Sequence, residues 1–208
     1  MKRHECFKAL APLIKEELFV TSAGGATSEW AAVRPSDGNL QVKTLGLCSS
    51  IGLGLAMALP RRKVFVFDGD GALWMNFGSL ATIGLHQPRN LIHICWDNRE
   101  YESSGGEPTV SKAGRINYAE AARAAGIQSS RAAERVEELV QAVQYALNHD
   151  GPHFIWARIE PGRAEVPPLA LDELENKYRF IRYVEKTEGV NILKMPVPAS
   201  YAQKTTKS

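Results

Sequence analysis

Two short hydrophobic runs lie near the middle of the chain, and polar residues follow each of them. They fall within residues 63–68 and 91–96, and both are rich in β-branched and aromatic side chains. Runs of this length without polar alternation are typical of parallel strands that are buried on both faces. The segment between them is long enough for one helix and a return to the sheet. We therefore predict a βαβ unit.

The remaining hydrophobic pattern adds helices and strands on both sides of this unit. Hydrophobic residues at helical spacing from Phe7 to Leu18 predict an opening amphipathic helix. Further strands are predicted at 18–21 and 154–159, and further helices at 28–33, 49–59, 118–125, 136–149 and 171–184. Because strands alternate with helices, the sequence predicts an α/β doubly wound parallel sheet in three layers.

Length and composition narrow the class of protein. The 208 residues suit a single domain, predicted at 1–185, with a partly flexible C-terminal extension at 186–208 that is frayed at 201–208. A formal net charge of +2 without a dense Lys/Arg block gives no reason to expect nucleic acid or a membrane as partner. The longest apolar run, 51–59, is too short to span a bilayer. Three cysteines without metal-ligand spacing indicate reduced thiols, so we expect a cytoplasmic protein.

The polar residues after the two central strands are the main candidates for chemistry. Gly69-Asp70-Gly71 follows the first strand, and Asp97-Asn98 follows the second. Neighbouring parallel strands end at the same edge of a sheet, where open α/β sheets bind ligands. A carboxylate and an amide oxygen there suit Mg²⁺, which takes its remaining ligands from phosphate and water. The two segments therefore predict a phosphorylated cofactor held through a metal.

These segments, taken in order, resemble the thiamine diphosphate enzymes. Gly-Asp-Gly at 69–71 and Asp-Asn at 97–98 look like the diphosphate and Mg²⁺ motif of that family, and the resemblance continues through 49–56, 75–83 and 103–109. The likeness covers roughly 18–168. Within the family, the chain is similar to the cofactor-binding half of phosphonopyruvate decarboxylase and to the separate beta subunit of sulfopyruvate decarboxylase. The resemblance implies the thiamine diphosphate-binding fold.

The resemblance also implies roles for single residues. Asp70 and Asn98 would bind Mg²⁺ through side-chain oxygens, and Glu100 would bind it through its backbone carbonyl. The family most often has glycine where this chain has Arg99 or Glu100. Gly71 and Ala72 would offer backbone N–H groups to the diphosphate at a helix N-terminus. The full set of implied cofactor-binding residues is Gly25, Thr27, Ser28, Lys43, Leu45, Gly69, Asp70, Gly71, Ala72, Asn98 and Tyr101.

Two parts of this set have a second interpretation or depart from the family. Thr27 and Ser28 match a diphosphate-contacting segment loosely, and either could equally be the N-cap of the helix through Val33. Leu45 fits the apolar residue that lies beneath the cofactor in the family. Lys43 stands where the family has a glycine whose carbonyl accepts the amino group of the pyrimidine ring.

The loop after the predicted metal site carries hydroxyl groups. Residues 103–106 read Ser-Ser-Gly-Gly and match a Ser-Thr-Gly-Gly run in the phosphonate and sulfonate enzymes. We expect Ser104 to contact an acidic substrate. A flexible loop without substrate contact is the alternative.

A glycine pattern at 52–58 offers a competing function. Gly-Leu-Gly-Leu-Ala-Met-Ala resembles part of a dinucleotide-binding fingerprint, which should directly follow a strand. Here two serines precede it, and its glycines fall inside a predicted helix. We expect close packing of this helix on the sheet instead of NAD binding.

The resemblance implies a decarboxylase that releases an aldehyde and CO₂ from a short anionic 2-oxo acid, with sulfopyruvate ahead of phosphonopyruvate. Thiamine diphosphate and Mg²⁺ are the implied cofactors. The carboxylate that activates the pyrimidine ring belongs in the family to a second domain, so a separately encoded alpha subunit is the expected partner. The alternatives are an acetolactate-synthase-like carboligase subunit and a non-catalytic regulatory subunit that binds thiamine diphosphate.

Overall fold

The computed structural model describes residues 1–193, so the predicted frayed end at 201–208 lies outside the described residues. The helices are α1 Arg3–Leu10, α2 Gly25–Val33, α3 Cys48–Ala58, α4 Asp70–Met75, α5 Ser79–His86, α6 Tyr118–Ala124, α7 Val136–Asn148 and α8 Glu173–Glu188. The strands are β1 Leu18–Ser22, β2 Asn39–Val42, β3 Val64–Gly69, β4 Leu91–Asp97, β5 Glu100–Tyr101, β6 Glu107–Pro108, β7 Ser129–Ala133 and β8 His153–Arg158.

Six of these strands form one parallel sheet in the order β2-β1-β3-β4-β8-β7. The strands β5 and β6 form a separate antiparallel hairpin. From β1 the chain goes outward to β2 and then returns to β3 on the opposite side of β1. The crossovers after β1 and β3 therefore leave in opposite directions. Such a switch point opens a crevice at the carboxyl ends of the strands.

The sheet is buried on both faces, which confirms the predicted three-layer α/β fold. On one face, Val64 and Val66 of β3 belong to a core that includes residues of α3, α5, α6 and α8. On the other face, Phe65 and Phe67 belong to a core with residues of α1, α2 and α7. Alternate residues of one strand thus enter opposite cores, as the pleat of a strand requires.

Several predicted elements differ from the observed ones. The opening helix ends at Leu10 and is followed by a 3₁₀ turn over Ala11–Leu13, because Pro12 lacks the N–H that would continue it. The crossover between β3 and β4 contains two helices instead of one. The strands β2 and β7 were not predicted. Both lie at the edges of the sheet, where strands are short and carry fewer buried side chains.

The glycine-containing helix α3 packs closely on the sheet, as predicted. A Cβ on Gly52 would lie 2.1 Å from a methyl carbon of Val66 on β3. This close approach explains why a glycine stands at position 52, and no dinucleotide-binding role is needed to account for it. The last helix, α8, runs to Glu188 and passes the predicted domain boundary at 185. Within the described residues, no helix is both long enough and apolar enough to cross a bilayer.

Candidate functional site

A cleft opens at the carboxyl edge of the sheet, at the switch point between β1 and β3. Segments that follow β1, β2, β3 and β4 line it, together with the first residue of α1. The lining residues are Arg3, Ser22, Ala23, Gly24, Gly25, Ala26, Leu45, Gly69, Asp70, Gly71, Ala72, Trp96, Asn98, Glu100, Tyr101, Glu102 and Ser103.

The structure brings most of the predicted site residues to this one cleft. They are Gly25, Leu45, Gly69, Asp70, Gly71, Ala72, Asn98, Glu100 and Tyr101. These residues are far apart in the sequence and come from four strand ends. The predicted meeting of the segments after β3 and β4 is therefore observed.

Four predicted residues lie elsewhere. The hydroxyl of Thr27 is buried and bonds to Thr21 Oγ1 at 2.9 Å and to the carbonyl of Ser22 at 2.7 Å, so it ties α2 to β1. Ser28 faces the later loop and accepts a hydrogen bond from the backbone of Leu169 at 3.4 Å. The N-cap interpretation of Thr27 and Ser28 is wrong, because α2 begins at Gly25 and its N-cap is Gly24, with φ of 116°.

The other two residues outside the lining of the cleft are Lys43 and Ser104. Lys43 follows β2 directly and is exposed. Ser103 and Ser104 are both exposed in a 3₁₀ turn over Glu102–Ser104, but only Ser103 lines the cleft, where it lies beside Gly24. A substrate-contacting hydroxyl from this loop therefore fits Ser103 better than Ser104.

Asp70 is a buried acid at the floor of the cleft. Only 1% of its surface is exposed, and its Oδ2 accepts a hydrogen bond from the hydroxyl of Thr109. The pKa of Asp70 is raised to about 7; burial is the main cause, the Thr109 hydrogen bond opposes the rise, and the charge of Asp97 contributes to it. A carboxylate that is costly to ionise alone gains strongly from a cation beside it. Thr109 was not predicted; it lies 39 residues away in the chain.

Asn98 has a defined amide orientation. Its Oδ1 accepts a hydrogen bond from the backbone N–H of Glu100 at 3.1 Å, and its Nδ2 donates to Glu102 Oε2 at 3.4 Å. Between Asn98 and Glu100, Arg99 adopts φ of 66°, a conformation that glycine adopts without strain. Arg99, one of the two positions where the resemblance implies a glycine, thus adopts a left-handed conformation.

Asp97 holds this turn in place and has no role in lining the cleft. Its Oδ1 accepts from the backbone N–H of Arg99 at 3.2 Å. Its Oδ2 accepts from the hydroxyl of Ser111 at 2.7 Å and from the indole of Trp156 at 2.8 Å. Three donors from three parts of the chain therefore fix the segment that carries Asn98.

A buried ion network closes one side of the cleft. Arg3 contacts Glu29 at 2.7 Å and Glu102 at 3.1 Å, and both Arg3 and Glu29 are almost fully buried. Burial alone would lower the pKa of Arg3, but the hydrogen bond to Glu29 and the charge of Glu102 raise it. Nothing in the sequence pattern indicated this network, because its members belong to α1, α2 and the segment after β5.

The cleft fits a diphosphate that is bound through a metal. Asp70 and Asn98 offer hard oxygen ligands of the type that Mg²⁺ prefers. The Nε1–H of Trp96, another lining residue, is buried and has no hydrogen-bond partner within residues 1–193, so a donor remains for an acceptor oxygen. A Cβ on Gly69 would meet no atom of residues 1–193 within 4 Å, so there is open space beside this lining residue. Residues 1–193 contain no cluster of three His, Cys, Asp or Glu side chains that could hold a metal alone.

Comparison with known proteins decides the family. Residues 29–157 match the thiamine pyrophosphate (thiamine diphosphate) enzymes in their C-terminal TPP binding domain. The chain belongs to this family. It is 34% identical to sulfopyruvate decarboxylase subunit beta of Methanothermobacter thermautotrophicus, over 88% of this chain and 96% of that protein. It is 35% identical to phosphonopyruvate decarboxylase of Streptomyces viridochromogenes, over 83% of this chain and 44% of that protein.

Solved structures agree on the fold. Benzoylformate decarboxylase from Polynucleobacter necessarius aligns with a TM-score of 0.64 at 18% identity, over 81% of this chain and 34% of that chain. At this identity the likeness concerns the fold alone. The predicted resemblance and the predicted fold are both confirmed.

Proposed function

We propose that the chain is the beta subunit of a thiamine diphosphate-dependent decarboxylase that acts on a short anionic 2-oxo acid, with sulfopyruvate ahead of phosphonopyruvate. The observation that carries this proposal is the placement of Asp70, Asn98 and Glu100 around one cleft in a chain of this family. The order of substrates rests on length. The chain spans nearly all of a separate sulfopyruvate decarboxylase beta subunit, but less than half of phosphonopyruvate decarboxylase.

We assign different residues of the cleft to different parts of the cofactor and its metal. We assign the side-chain oxygens of Asp70 and Asn98 and the carbonyl of Glu100 to Mg²⁺. The backbone N–H groups of Gly71 and Ala72 would hold the diphosphate, and Leu45 would supply the apolar contact beneath the rings. When bound, thiamine diphosphate supplies an electron sink for the pair released as CO₂ leaves the substrate. The chain itself orients the cofactor and balances the charge of its diphosphate.

The carboxylate that activates the cofactor is assigned to a separate alpha subunit. Among the described residues that line the cleft, Glu102 is paired with Arg3, and Glu100 lies 3.5 Å from the ammonium group of Lys112. Asp70 is assigned to the metal. Exposed apolar side chains on the segments beside the cleft, Leu47, Trp74 and Met75, support an interface with this partner.

The experiment compares the chain alone with the chain co-expressed with its candidate alpha subunit. Aldehyde release is measured from sulfopyruvate, phosphonopyruvate and pyruvate, with thiamine diphosphate and Mg²⁺ in excess. We expect turnover only from the pair, and the highest kcat/KM with sulfopyruvate. A preference for pyruvate with acetolactate as product would contradict the proposal and identify a carboligase. Full activity of the isolated chain would contradict the partner assignment.

A further inference from the structure

The ion network beside the cleft is connected to the proposed metal site through one carboxylate. Arg3 engages Glu29 through Nε and Nη2, at 3.3 and 2.7 Å, and Glu102 through Nη1 and Nη2, at 3.1 and 3.3 Å. Glu102 Oε2 also accepts the hydrogen bond from Asn98 Nδ2 at 3.4 Å. A continuous chain of contacts therefore runs from the buried Glu29 to the side-chain amide of Asn98.

The hydrogen bond between Asn98 and Glu102 can form in only one direction, from the amide NH₂ group to the carboxylate. An ionised carboxylate only accepts hydrogen bonds, so Glu102 can face the NH₂ group of Asn98 but not its oxygen. The guanidinium of Arg3 only donates, and its two contacts hold the Glu102 carboxylate in place. The two ends of an asparagine amide have nearly the same shape. The hydrogen-bond partners therefore decide which end points where.

We propose that Arg3 and Glu102 are positioning residues that hold Asn98 Nδ2 away from the cation and so leave Oδ1 as the metal ligand. This inference rests on the proposed function, because it takes Asn98 as a ligand of Mg²⁺. The backbone N–H of Glu100 supports the same orientation from the other end of the amide, since it donates to Oδ1. An inverted amide would place NH₂ against a cation and against a backbone donor.

Two further contacts, at Ala164 and at Gly25, surround the ion network of Arg3. Glu29 Oε1 accepts a second bond, from the backbone N–H of Ala164 at 3.1 Å, so the inner end of the network is anchored. A Cβ on Gly25 would lie 2.4 Å from both Arg3 Nη2 and Glu102 Oε1. The ion pair thus rests directly on the glycine that begins α2. A Cβ at this position would have to displace the ends of both side chains.

The test replaces Glu102 by its neutral amide. In Glu102→Gln, Arg3 takes the new amide oxygen, and the new NH₂ group faces Asn98 and attracts its Oδ1. The Asn98 amide then inverts and presents NH₂ to the cation. We expect the affinity for Mn²⁺ in the presence of thiamine diphosphate to fall by about 10- to 100-fold, as is usual when a partner of a metal ligand is lost. Bound Mn²⁺ is measured by electron paramagnetic resonance on the full chain with its alpha subunit.

A matched control separates this effect from loss of a charge. Glu107→Gln removes one negative charge from the same hairpin, at an exposed position outside the cleft. We expect its Mn²⁺ affinity to equal that of the wild type. The melting temperature of each metal-free variant shows whether the fold is intact. Arg3→Lys keeps the charge but cannot engage both carboxylates through a planar fork, and we expect an intermediate loss of affinity.

A second substitution tests the direction of the amide itself. Asn98→Asp places oxygens at both ends of the side chain, so no inversion can remove the ligand. In this background Glu102→Gln should no longer weaken Mn²⁺ binding and should strengthen it, because a repulsive carboxylate is lost. The same loss in both backgrounds, or no loss in either, would overturn the positioning role while wild-type binding still supported the proposed function. Absence of Mn²⁺ binding by the wild type would overturn both.

Discussion

The two strands beside the cleft deliver their polar residues in different ways. After β3, helix α4 begins at Asp70 itself, so the position of this carboxylate follows from a few neighbouring residues. After β4, the chain passes through the β5–β6 hairpin and two 3₁₀ turns before α6 begins at Tyr118. Contacts with distant residues hold this second segment: Asp97 with Trp156, Glu102 with Arg3, and Thr109 with Asp70. One side of the site is thus encoded locally, and the other depends on the whole fold.

This difference has consequences for energetics. A residue at a strand end next to a helix is fixed once the βαβ unit has formed. A hairpin with few buried apolar side chains stays in place only through its polar anchors, and loss of one anchor changes the geometry of the others. Substitutions on the β3 side should therefore affect the ligand itself. Substitutions on the β4 side should affect both stability and binding.

The largest expected effect is on the β3 side. Asp70→Ala removes a metal ligand, so the affinity for thiamine diphosphate in the presence of Mg²⁺ should fall on the order of 100-fold or more. Calorimetric titration of the chain with its alpha subunit measures the change. Asp150→Ala, which removes an exposed carboxylate, is the control and should bind normally. An unchanged affinity in Asp70→Ala would remove Asp70 from the site.

The second prediction uses the pKa of Asp70, which burial raises to about 7 in the metal-free protein. Between about pH 4, the ordinary range of an unfolded aspartate, and pH 7, the folded chain binds more protons at this residue than the unfolded chain. Its contribution to the free energy of unfolding therefore falls as pH rises, by at most about 1.4 kcal/mol per pH unit. Above pH 7 the contribution is constant. Mg²⁺ and thiamine diphosphate compete with the proton, so their stabilising effect should grow over the same interval.

Urea unfolding across this pH range measures the slope. Asp70→Asn has no titrating group at this position and should lose this part of the pH dependence in the metal-free state. Equal slopes in the wild type and in Asp70→Asn would show that Asp70 is already ionised in the folded chain well below pH 7.

The features that could be predicted from the sequence are those that local residues determine, and the features that could not be predicted depend on distant contacts. The strands β3 and β4 were predicted because their hydrophobic runs are continuous and rich in β-branched and aromatic residues, and Asp70 and Asn98 lie shortly after these runs. Arg3, Glu29 and Glu102 were not predicted as a group, because their contacts join residues that lie up to 99 positions apart. Polar anchors of this kind have no periodicity, and only the assembled fold brings their members together.

The third prediction concerns the β4 side. Asp97→Asn places an NH₂ group among three donors, so at least one of them is left without an acceptor in the interior. We expect the free energy of unfolding to fall by about 2–4 kcal/mol and cofactor affinity to fall as well. Ser111→Ala removes only one of the three donors and should cost about 1 kcal/mol. Similar losses in the two variants, measured by urea unfolding, would contradict the anchoring role of Asp97.

The smallest effect on cofactor affinity is expected where α4 on the β3 side contacts the hairpin on the β4 side. A Cβ on Gly71 would lie 2.3 Å from the ring of Tyr101 and 3.0 Å from the methyl group of Thr109, so Gly71→Ala must push the hairpin away from α4. We expect about a 10-fold loss of cofactor affinity, which corresponds to about 1.4 kcal/mol. In a Tyr101→Ala background the clashing ring is absent, so Gly71→Ala should cost less cofactor affinity there than it does in the wild type. Gly69→Ala has open space and should leave the melting temperature of the metal-free chain unchanged, whereas Gly71→Ala should lower it. If Gly71→Ala cost the same affinity in both backgrounds, the loss would come from the α4 backbone, and the contact between the two sides would not explain it.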